Sequence, residues 1–330
     1  MGVVDAGDPA ARAGARAHAG AAGPSPEIVI LAGGTGGAKL ARGALDVVGA
    51  ARLAVIANTG DDIEIYGAHV SPDPDLVSFW LGDLIDERGW GLEGDSFAVM
   101  DALRALGVDV WFNLGDRDLA WCVERARMLA QEHLSPTAAL ARLNDAIGVR
   151  ARVLPMCDEP VRTWVRSGGA WRSFQEFMIR TRAAGPVEGV ELRGIEHARP
   201  TAQVLAAITH ARAIVIGPSN PLVSIDPILA IPGMREALHR AQAPVVAVSP
   251  IVGGEVLKGP TAAFMAFAGR ELGAGGVAAH YGELLDGLVA DEPITEGPAV
   301  LRVDTRMSDP QTRARVAEQV LDFADSLARA

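Results

Sequence analysis

Short uninterrupted runs of apolar residues alternate with amphipathic stretches along most of the chain. Four of these runs occupy residues 28–31, 53–56, 213–216 and 245–248. A strand that is buried on both faces shows this pattern, because neither face meets water. The intervening stretches predict helices over residues 38–48, 76–85, 234–240 and about 310–327. The alternation predicts an α/β, Rossmann-like fold, with a mainly parallel sheet and helices on both of its faces.

The middle of the chain follows a different pattern. Residues 117–148 have helical periodicity, and Ser135 followed by Pro136 is typical of a helix start. From about residue 153 to 193 the sequence becomes polar and strand-like. We therefore predict an inserted α+β subdomain over about 117–199, which covers the carboxyl ends of the sheet.

The domain organisation follows from these patterns. Residues 1–26 are rich in Ala, Gly and Pro and lack apolar periodicity, which predicts a disordered leader. Residues 27–330 are predicted to form one domain, whose Rossmann-like core comprises 27–116 and about 200–330.

Composition narrows the classes of partner. The formal net charge is −11, which argues against nucleic acid as a partner because nucleic-acid binders usually carry a basic face. No apolar stretch reaches the 18 or so residues of a membrane span, so no membrane partner is expected. Cys122 and Cys157 are isolated, which suits a reducing cytoplasm, and the histidines lack zinc-site spacing.

A glycine-rich turn follows the first predicted strand. Its residues are Gly33, Gly34, Thr35, Gly36 and Gly37. Glycines allow close backbone approach, and a helix N-terminus attracts anions, so the turn predicts a phosphate site; a tight turn without a ligand is the alternative. Lys39 and Lys258 both lie beside glycine-rich turns and are candidate phosphate neighbours.

Two acidic motifs suggest a divalent cation. Asp61 and Asp62 follow the second predicted strand, and Asp73 and Asp75 lie within Ser-Pro-Asp-Pro-Asp. Mg²⁺ prefers one or two carboxylates together with waters and substrate phosphates. For Asp73, an equally good interpretation is that it caps a turn or the next helix.

Two further motifs lie beside predicted strands. Asn113 precedes Leu-Gly-Asp-Arg-Asp, whose charged residues 116–118 could form an internal ion-pair network or act in catalysis. Ser219 and Asn220 follow the strand at 213–216, where open α/β sheets bind ligands.

In this order, the motifs resemble those of the 2-phospho-L-lactate transferase family of deazaflavin biosynthesis. The segments that carry the resemblance are GGTGGAKL, NTGDD, SPDPDL, NLGDRD, MCDEPV, FQEF and IGPSNPLVSIDPIL. The resemblance implies an enzyme of coenzyme F420 biosynthesis. It would move a phospholactyl or phosphoenolpyruvyl group from a guanosine-diphosphate-activated donor to the hydroxyl of the deazaflavin Fo (7,8-didemethyl-8-hydroxy-5-deazariboflavin), releasing GMP with Mg²⁺ as cofactor.

The resemblance also implies roles for individual residues. Asp61 and Asp75 fall on the catalytic and metal-binding carboxylates, and Asp62 is a further metal candidate. Asp75 and Asn113 fall on the Fo site, although archaeal members have lysine at the position of Asn113. The glycine turn, with Ser219 and Asn220, falls on segments expected to hold guanosine diphosphate. A homodimer is the default expectation.

Two other functions compete with this interpretation. A related bacterial group shares the glycine turn and an acidic pair but consists of nucleotide-sugar-binding regulators. A Rossmann oxidoreductase would require an acidic residue at the end of the second strand, where this chain has Asn58 and Thr59. The donor acid, whether lactyl, enolpyruvyl or glyceryl, is left open by the sequence.

Overall fold

The computed structural model describes residues 26–256 and 259–328. The predicted leader, apart from residue 26, and the predicted phosphate neighbour Lys258 lie outside the described residues. None of the helices in the described ranges combines the length and the apolar character needed to cross a membrane.

Fourteen strands form one large sheet and three small ones within these ranges. In chain order they are β1 (Ile28–Ala32), β2 (Leu53–Ala57), β3 (Ile63–Ile65), β4 (Ala68–Val70), β5 (Arg152–Pro155), β6 (Arg162–Ser167), β7 (Ala170–Ser173), β8 (Gly189–Arg193), β9 (Ala213–Ile216), β10 (Val245–Val248), β11 (Ile251–Val252), β12 (Glu255–Val256), β13 (Gly287–Ala290) and β14 (Ala299–Arg302).

Twelve α-helices connect and cover the strands in the same ranges. They are α1 (Gly34–Val48), α2 (Pro72–Leu81), α3 (Ala98–Ala105), α4 (Asp116–Gln131), α5 (Pro136–Ala146), α6 (Phe174–Ile179), α7 (Ala202–Thr209), α8 (Asp226–Leu229), α9 (Met234–Arg240), α10 (Thr261–Phe267), α11 (Ala274–Tyr281) and α12 (Pro310–Leu327).

The central sheet has seven strands in the order β14-β13-β10-β9-β1-β2-β5, and every neighbouring pair is parallel. Alternate residues of β1 belong to two different apolar clusters. Ile28 and Ile30 pack with α1, α2, α4, α5 and α12, whereas Val29 and Leu31 pack with α6 to α11. The predicted Rossmann-like α/β fold is therefore confirmed, and the unbroken apolar runs are explained by helices on both faces.

The chain order of the strands reverses between β1 and β9. From β1 the chain continues to β2 and β5 on one side, and from β9 it continues to β10, β13 and β14 on the other. In open α/β sheets, such a reversal leaves a crevice outside the carboxyl ends of the strands, because the connections on either side diverge. The glycine turn and the loop after β9 both lie at this crevice.

The predicted insertion over about 117–199 is interrupted by a strand of the central sheet. β5 lies within that range, yet it pairs with β2 from Ala54 to Ala57 and forms the edge of the large sheet. Its short run, Val153 and Leu154, is buried on both faces like the other central strands. The antiparallel part consists of β6, β7 and β8 with α6, and the predicted boundaries are wrong to that extent.

Helix α1 begins at Gly34, four residues before its predicted start. A Cβ atom at Gly36 would lie 2.0 Å from the carbonyl oxygen of Pro218, in the loop after β9. Glycine is therefore required where this loop crosses the start of α1, because any side chain would collide with backbone. The glycines serve internal packing as well as close approach to a ligand, which the sequence interpretation did not include.

Replacement of Gly36 by alanine tests this crossing. We expect Gly36→Ala to destabilise the fold by about 1–3 kcal/mol, the usual cost of overpacking, and to lower the melting temperature by several degrees. Gly275 in α11 is the matched control, since a Cβ atom there would meet nothing within 4 Å. Gly275→Ala should leave the melting temperature unchanged or raise it. Equal melting temperatures of Gly36→Ala and wild type in circular dichroism would contradict the proposed crossing.

Candidate active site

A cavity of about 970 Å³ opens at the carboxyl ends of β1 and β9. Most residues selected from the sequence line it: Gly33, Gly34, Thr35, Gly36, Asp61, Asp75, Asn113, Ser219 and Asn220. Gly37 and Asp62 do not. Gly37 fits tightly, since a Cβ atom there would lie 2.8 Å from both Ala32 Cβ and Ser219 Oγ. The topology therefore brings separate motifs together around one space.

The start of α1 forms one wall of the cavity. The Gly33 amide donates to Ser219 Oγ at 3.3 Å, which joins the glycine turn to the loop after β9. Asn220 accepts from the Leu222 amide and donates to Thr261 Oγ1, so its side chain shapes the loop. Lys39 also lines the cavity, with its Nζ atom 5.8 Å from the centre of the Trp80 ring. This wall combines helix amides and a nearby cation, both of which favour phosphate groups.

Asp61, in the loop after β2, and Asp73, near the start of α2, both line the cavity. Asp61 is 5% exposed, and its Oδ1 atom has no hydrogen-bond partner among the described residues. Burial raises the pKa of Asp61 well above its usual range, and the nearby charge of Asp73 raises it further. Burial also raises the pKa of Asp73 to about 6, although the Gly34 amide and Asn58 oppose the rise. Two buried carboxyls that repel each other suit a cation between them.

The sequence does not single out Asp73 as a site residue, because metal binding and capping of a turn or helix explain it equally well. The helix predicted at 76–85 in fact begins at Pro72, so Asp73 and Asp75 both lie in the first turn of α2. Asp73 accepts from the Gly34 amide at 2.6 Å and from Asn58 Nδ2 at 2.9 Å. The signal in the sequence was Ser71 followed by Pro72, which marks a helix start.

Asp75 points from the same turn towards α4. Its Oδ1 accepts from Trp121 Nε1 at 2.7 Å, and its Oδ2 accepts from Arg125 Nη1 at 3.0 Å. Arg125 also donates through Nη2 to Asp75 Oδ1, and Arg125 is only 2% exposed. Both carboxylate oxygens are thus engaged in a buried ion pair. No motif indicated Trp121 or Arg125, because their partner is about 50 residues away in sequence.

Asp118 and Cys122 extend this cluster. One ligand atom each from Asp75, Asp118 and Cys122 lies within 4.8 Å of the others, a spacing that could hold a metal ion. Burial, together with the charges of Asp75 and Asp95, raises the pKa of Asp118 to about 7. The Arg125 guanidinium already supplies a positive charge to this group, so a metal ion there would be repelled by it.

Asp62 is held away from the cavity. Its Oδ1 accepts from Ser71 Oγ at 2.7 Å, and its Oδ2 lies 3.2 Å from His69 Nε2. The other ring nitrogen of His69 lies 3.2 Å from Glu64. These contacts disfavour Asp62 as a metal ligand. Asp62 instead stabilises the β3–β4 hairpin through His69 and Ser71.

Aromatic side chains form a further part of the cavity lining, here called the aromatic wall. They are Phe79, Trp90, Phe97, Trp111, Phe112 and Phe174. Trp90 is 56% exposed, and the Arg88 guanidinium lies 4.3 Å from the centre of its ring. Asn113, which also lines the cavity, accepts from Arg104 Nη2 at 2.6 Å. Such a wall suits a flat aromatic ligand.

The charged residues 116–118 do not form the predicted internal network. Asp116 accepts from Ser96 Oγ at 2.6 Å and from the Val99 amide at 2.9 Å, which caps the start of α3. Arg117 donates from its side chain to the Glu93 carbonyl at 2.9 Å. Residues 116 and 117 thus fix segment 93–99, which forms part of the cavity wall.

The His69 contacts predict a pH dependence of stability. Burial lowers the pKa of His69, but hydrogen bonds to Asp62 and Glu64 outweigh burial and raise the pKa to about 9. The pKa of His69 is higher in the folded protein than in the unfolded protein, where it is about 6.5, so the protonated ring stabilises the fold by at most about 3 kcal/mol. This contribution is complete below about pH 6.5 and is lost as the pH rises through 9.

We therefore expect the difference in melting temperature between wild type and His69→Gln to be largest near pH 6 and to shrink above pH 9. Thermal melts from pH 6 to pH 10 measure it. A difference that stays constant over this range would show that His69 does not carry a charge in the folded protein.

Comparison with known proteins identifies relatives over nearly the whole chain. The family described as 2-phospho-L-lactate transferase CofD matches residues 28–319. A 2-phospho-L-lactate transferase of Methanosarcina mazei is 37% identical over 303 residues, covering 89% of this chain and 99% of the relative. A phosphoenolpyruvate transferase of Streptomyces griseus is 40% identical over 319 residues, covering 91% of this chain and 99% of the relative.

A solved structure shares the fold. A UPF0052 family protein from Bacillus halodurans superposes with a TM-score of 0.60 at 17% identity, covering 90% of this chain and 99% of that protein. At this identity the likeness concerns the architecture alone. The family match and the relatives show that the chain belongs to the 2-phospho-L-lactate transferase (CofD) family, and that it is a transferase.

Proposed function

We propose that this transferase moves a phospho-acid group from a guanosine-diphosphate-activated donor to the hydroxyl of the deazaflavin Fo, and releases GMP. The observation that carries the proposal is the single cavity at the strand-order reversal. Its lining joins a glycine-rich helix start, two buried carboxyls and the aromatic wall around one space. A volume of about 970 Å³ is large enough for two ligands to meet.

The phosphate wall would hold the donor. The amides of the glycine turn beyond Gly34 would donate hydrogen bonds to a diphosphate, since those of Gly33 and Gly34 already donate to Ser219 and Asp73. Ser219 and Asn220 complete the wall from the loop after β9. Lys39 would add a positive charge near the phosphates. Phosphoryl-type transfer depends on positioning and charge neutralisation, which this wall provides without a protein nucleophile.

We assign the cation, Mg²⁺, to Asp61 and Asp73. Both carboxyls are buried and line the cavity, and their mutual repulsion supports this pair. Asp75, expected as a ligand by resemblance, is less suited because the buried Arg125 guanidinium already neutralises its charge, whereas the partners of Asp73 are an amide and Asn58, which carry no charge. When bound, the cation would neutralise charge that develops on the phosphates.

The aromatic wall would hold the acceptor with its hydroxyl near the donor diphosphate. The hydroxyl oxygen forms a bond to the phosphorus that carries the acid, while the bond from that phosphorus to the oxygen of GMP breaks. The proton of the hydroxyl passes to a carboxylate. Asp118 suits this role better than Asp75, because it lines the cavity with a pKa of about 7 and is not paired with Arg125.

Substitution of single carboxylates distinguishes the ligands. We expect Asp61→Asn and Asp73→Asn to weaken the binding of Mn²⁺, which electron paramagnetic resonance measures. Both variants should also form product about 100-fold more slowly or worse. Asp62→Asn is the matched control and should bind Mn²⁺ nearly as wild type does. Asp75→Asn should instead lower the melting temperature, since it leaves Arg125 buried without its charged partner, at a cost of about 3–5 kcal/mol. Loss of Mn²⁺ binding in Asp75→Asn but not in Asp73→Asn would contradict the assignment.

The donor and acceptor are tested directly with the three guanylylated acids. We expect Fo and at least one of the lactyl, enolpyruvyl and glyceryl donors to give product and GMP in equal amounts, measured by mass spectrometry. The donors differ by one small group, so their kcat/KM values should differ by about 10- to 200-fold. In calorimetry, GDP with Mg²⁺ should bind. Binding of UDP-sugars in place of GDP would favour the nucleotide-sugar-binding regulator instead.

A further inference from the structure

A threonine of the small antiparallel sheet lies against the loop that carries Asp61. Thr163, in β6, is 1% exposed, and its amide donates to the Gly60 carbonyl at 2.6 Å. A Cβ atom at Gly60 would lie 2.5 Å from Thr163 Oγ1 and 2.9 Å from Asn58 Oδ1. The absence of a side chain at Gly60 therefore permits the threonine hydroxyl to approach the loop beside Asp61.

Two buried oxygens at this junction lack hydrogen-bond partners. Among the described residues, both Thr163 Oγ1 and Asp61 Oδ1 are enclosed and unpartnered. The Thr163 hydroxyl is nevertheless close enough to Asp61 to oppose the rise of the carboxyl pKa that burial causes. Leaving a buried hydroxyl unpaired costs about 1–3 kcal/mol, so a small movement that joins the two oxygens is favoured.

We propose that Thr163 is a positioning residue that orients the Asp61 carboxylate for its cation. This inference rests on the proposed cation site. The hydroxyl donates to Asp61 Oδ1, which fixes the rotation of the carboxylate. The other oxygen of Asp61 is then directed at the cavity. Ligands that are themselves hydrogen-bonded hold a metal more tightly, because they lose less freedom on binding.

The Asp61 backbone is fixed from the same side. Gln175 Nε2, in α6, donates to the Asp61 carbonyl at 3.4 Å. Both Thr163 and Gln175 belong to the antiparallel part of the fold, whereas Asp61 follows β2 of the central sheet. The antiparallel part therefore contributes to the cation site without supplying a ligand to it.

Mn²⁺ titrations of hydroxyl-deficient and hydroxyl-retaining variants test the proposal. We expect Thr163→Val to raise the dissociation constant for Mn²⁺, measured by electron paramagnetic resonance, by about 10-fold or more, whereas Thr163→Ser stays within about 3-fold of wild type. Thr163→Ala provides a second variant without the hydroxyl if Thr163→Val folds poorly. In an Asp61→Asn background, Thr163→Val should cause no further loss, because its effect passes through Asp61.

The outcomes separate this proposal from the function on which it rests. Wild-type Mn²⁺ affinity in Thr163→Val, together with weak binding in Asp61→Asn, would overturn the role of Thr163 and leave the cation site standing. Equally weak binding in the serine and valine variants would also overturn it. Wild-type binding in Asp61→Asn would overturn both the role of Thr163 and the assignment of the cation to Asp61.

Discussion

The Asp73 carboxylate connects three segments on which the site depends. One of its oxygens accepts from the Gly34 amide at the start of α1, and the other accepts from Asn58 in the loop after β2. Asp73 itself belongs to the first turn of α2. A single buried side chain thus fixes the phosphate wall relative to the loop that carries Asp61. Its negative charge, enclosed near a second carboxyl, also creates the demand for a cation.

The fold could be predicted from the sequence because several strands buried on both faces leave continuous apolar runs. The runs at β1, β2, β9 and β10 are all central strands. β13 is equally buried but was not predicted, because its run begins with Gly287 and contains only three apolar residues. The edge strand β14 was missed because its residues are partly exposed, so its pattern resembles that of a loop. β5 was assigned to the insertion because sequence order does not reveal which strand lies beside β2.

The candidate site was only partly predictable, for a similar reason. Motifs that follow strands, such as the glycine turn and Asp61, could be placed at the sheet edge by topology alone. Arg125, Trp121 and Thr163 depend on contacts between segments distant in sequence, and no local pattern marks them. Asp73 and Asp75 are two residues apart in one helical turn, so their side chains point in different directions and acquire different environments. Spacing alone could not assign one to the glycine turn and the other to α4.

The buried ion pair of Asp75 and Arg125 joins the first turn of α2 to α4. A guanidinium stays protonated throughout the range in which proteins are folded, and the neighbouring Asp75 charge raises the pKa of Arg125, although burial lowers it. Asp73 and Asp118, by contrast, have pKa values of about 6 and about 7. Acidification towards neutral and below would therefore remove negative charge from the cavity. The cation proposed for Asp61 and Asp73 would bind less tightly as Asp73 takes up a proton, because a carboxyl holds a metal ion only in its ionised form.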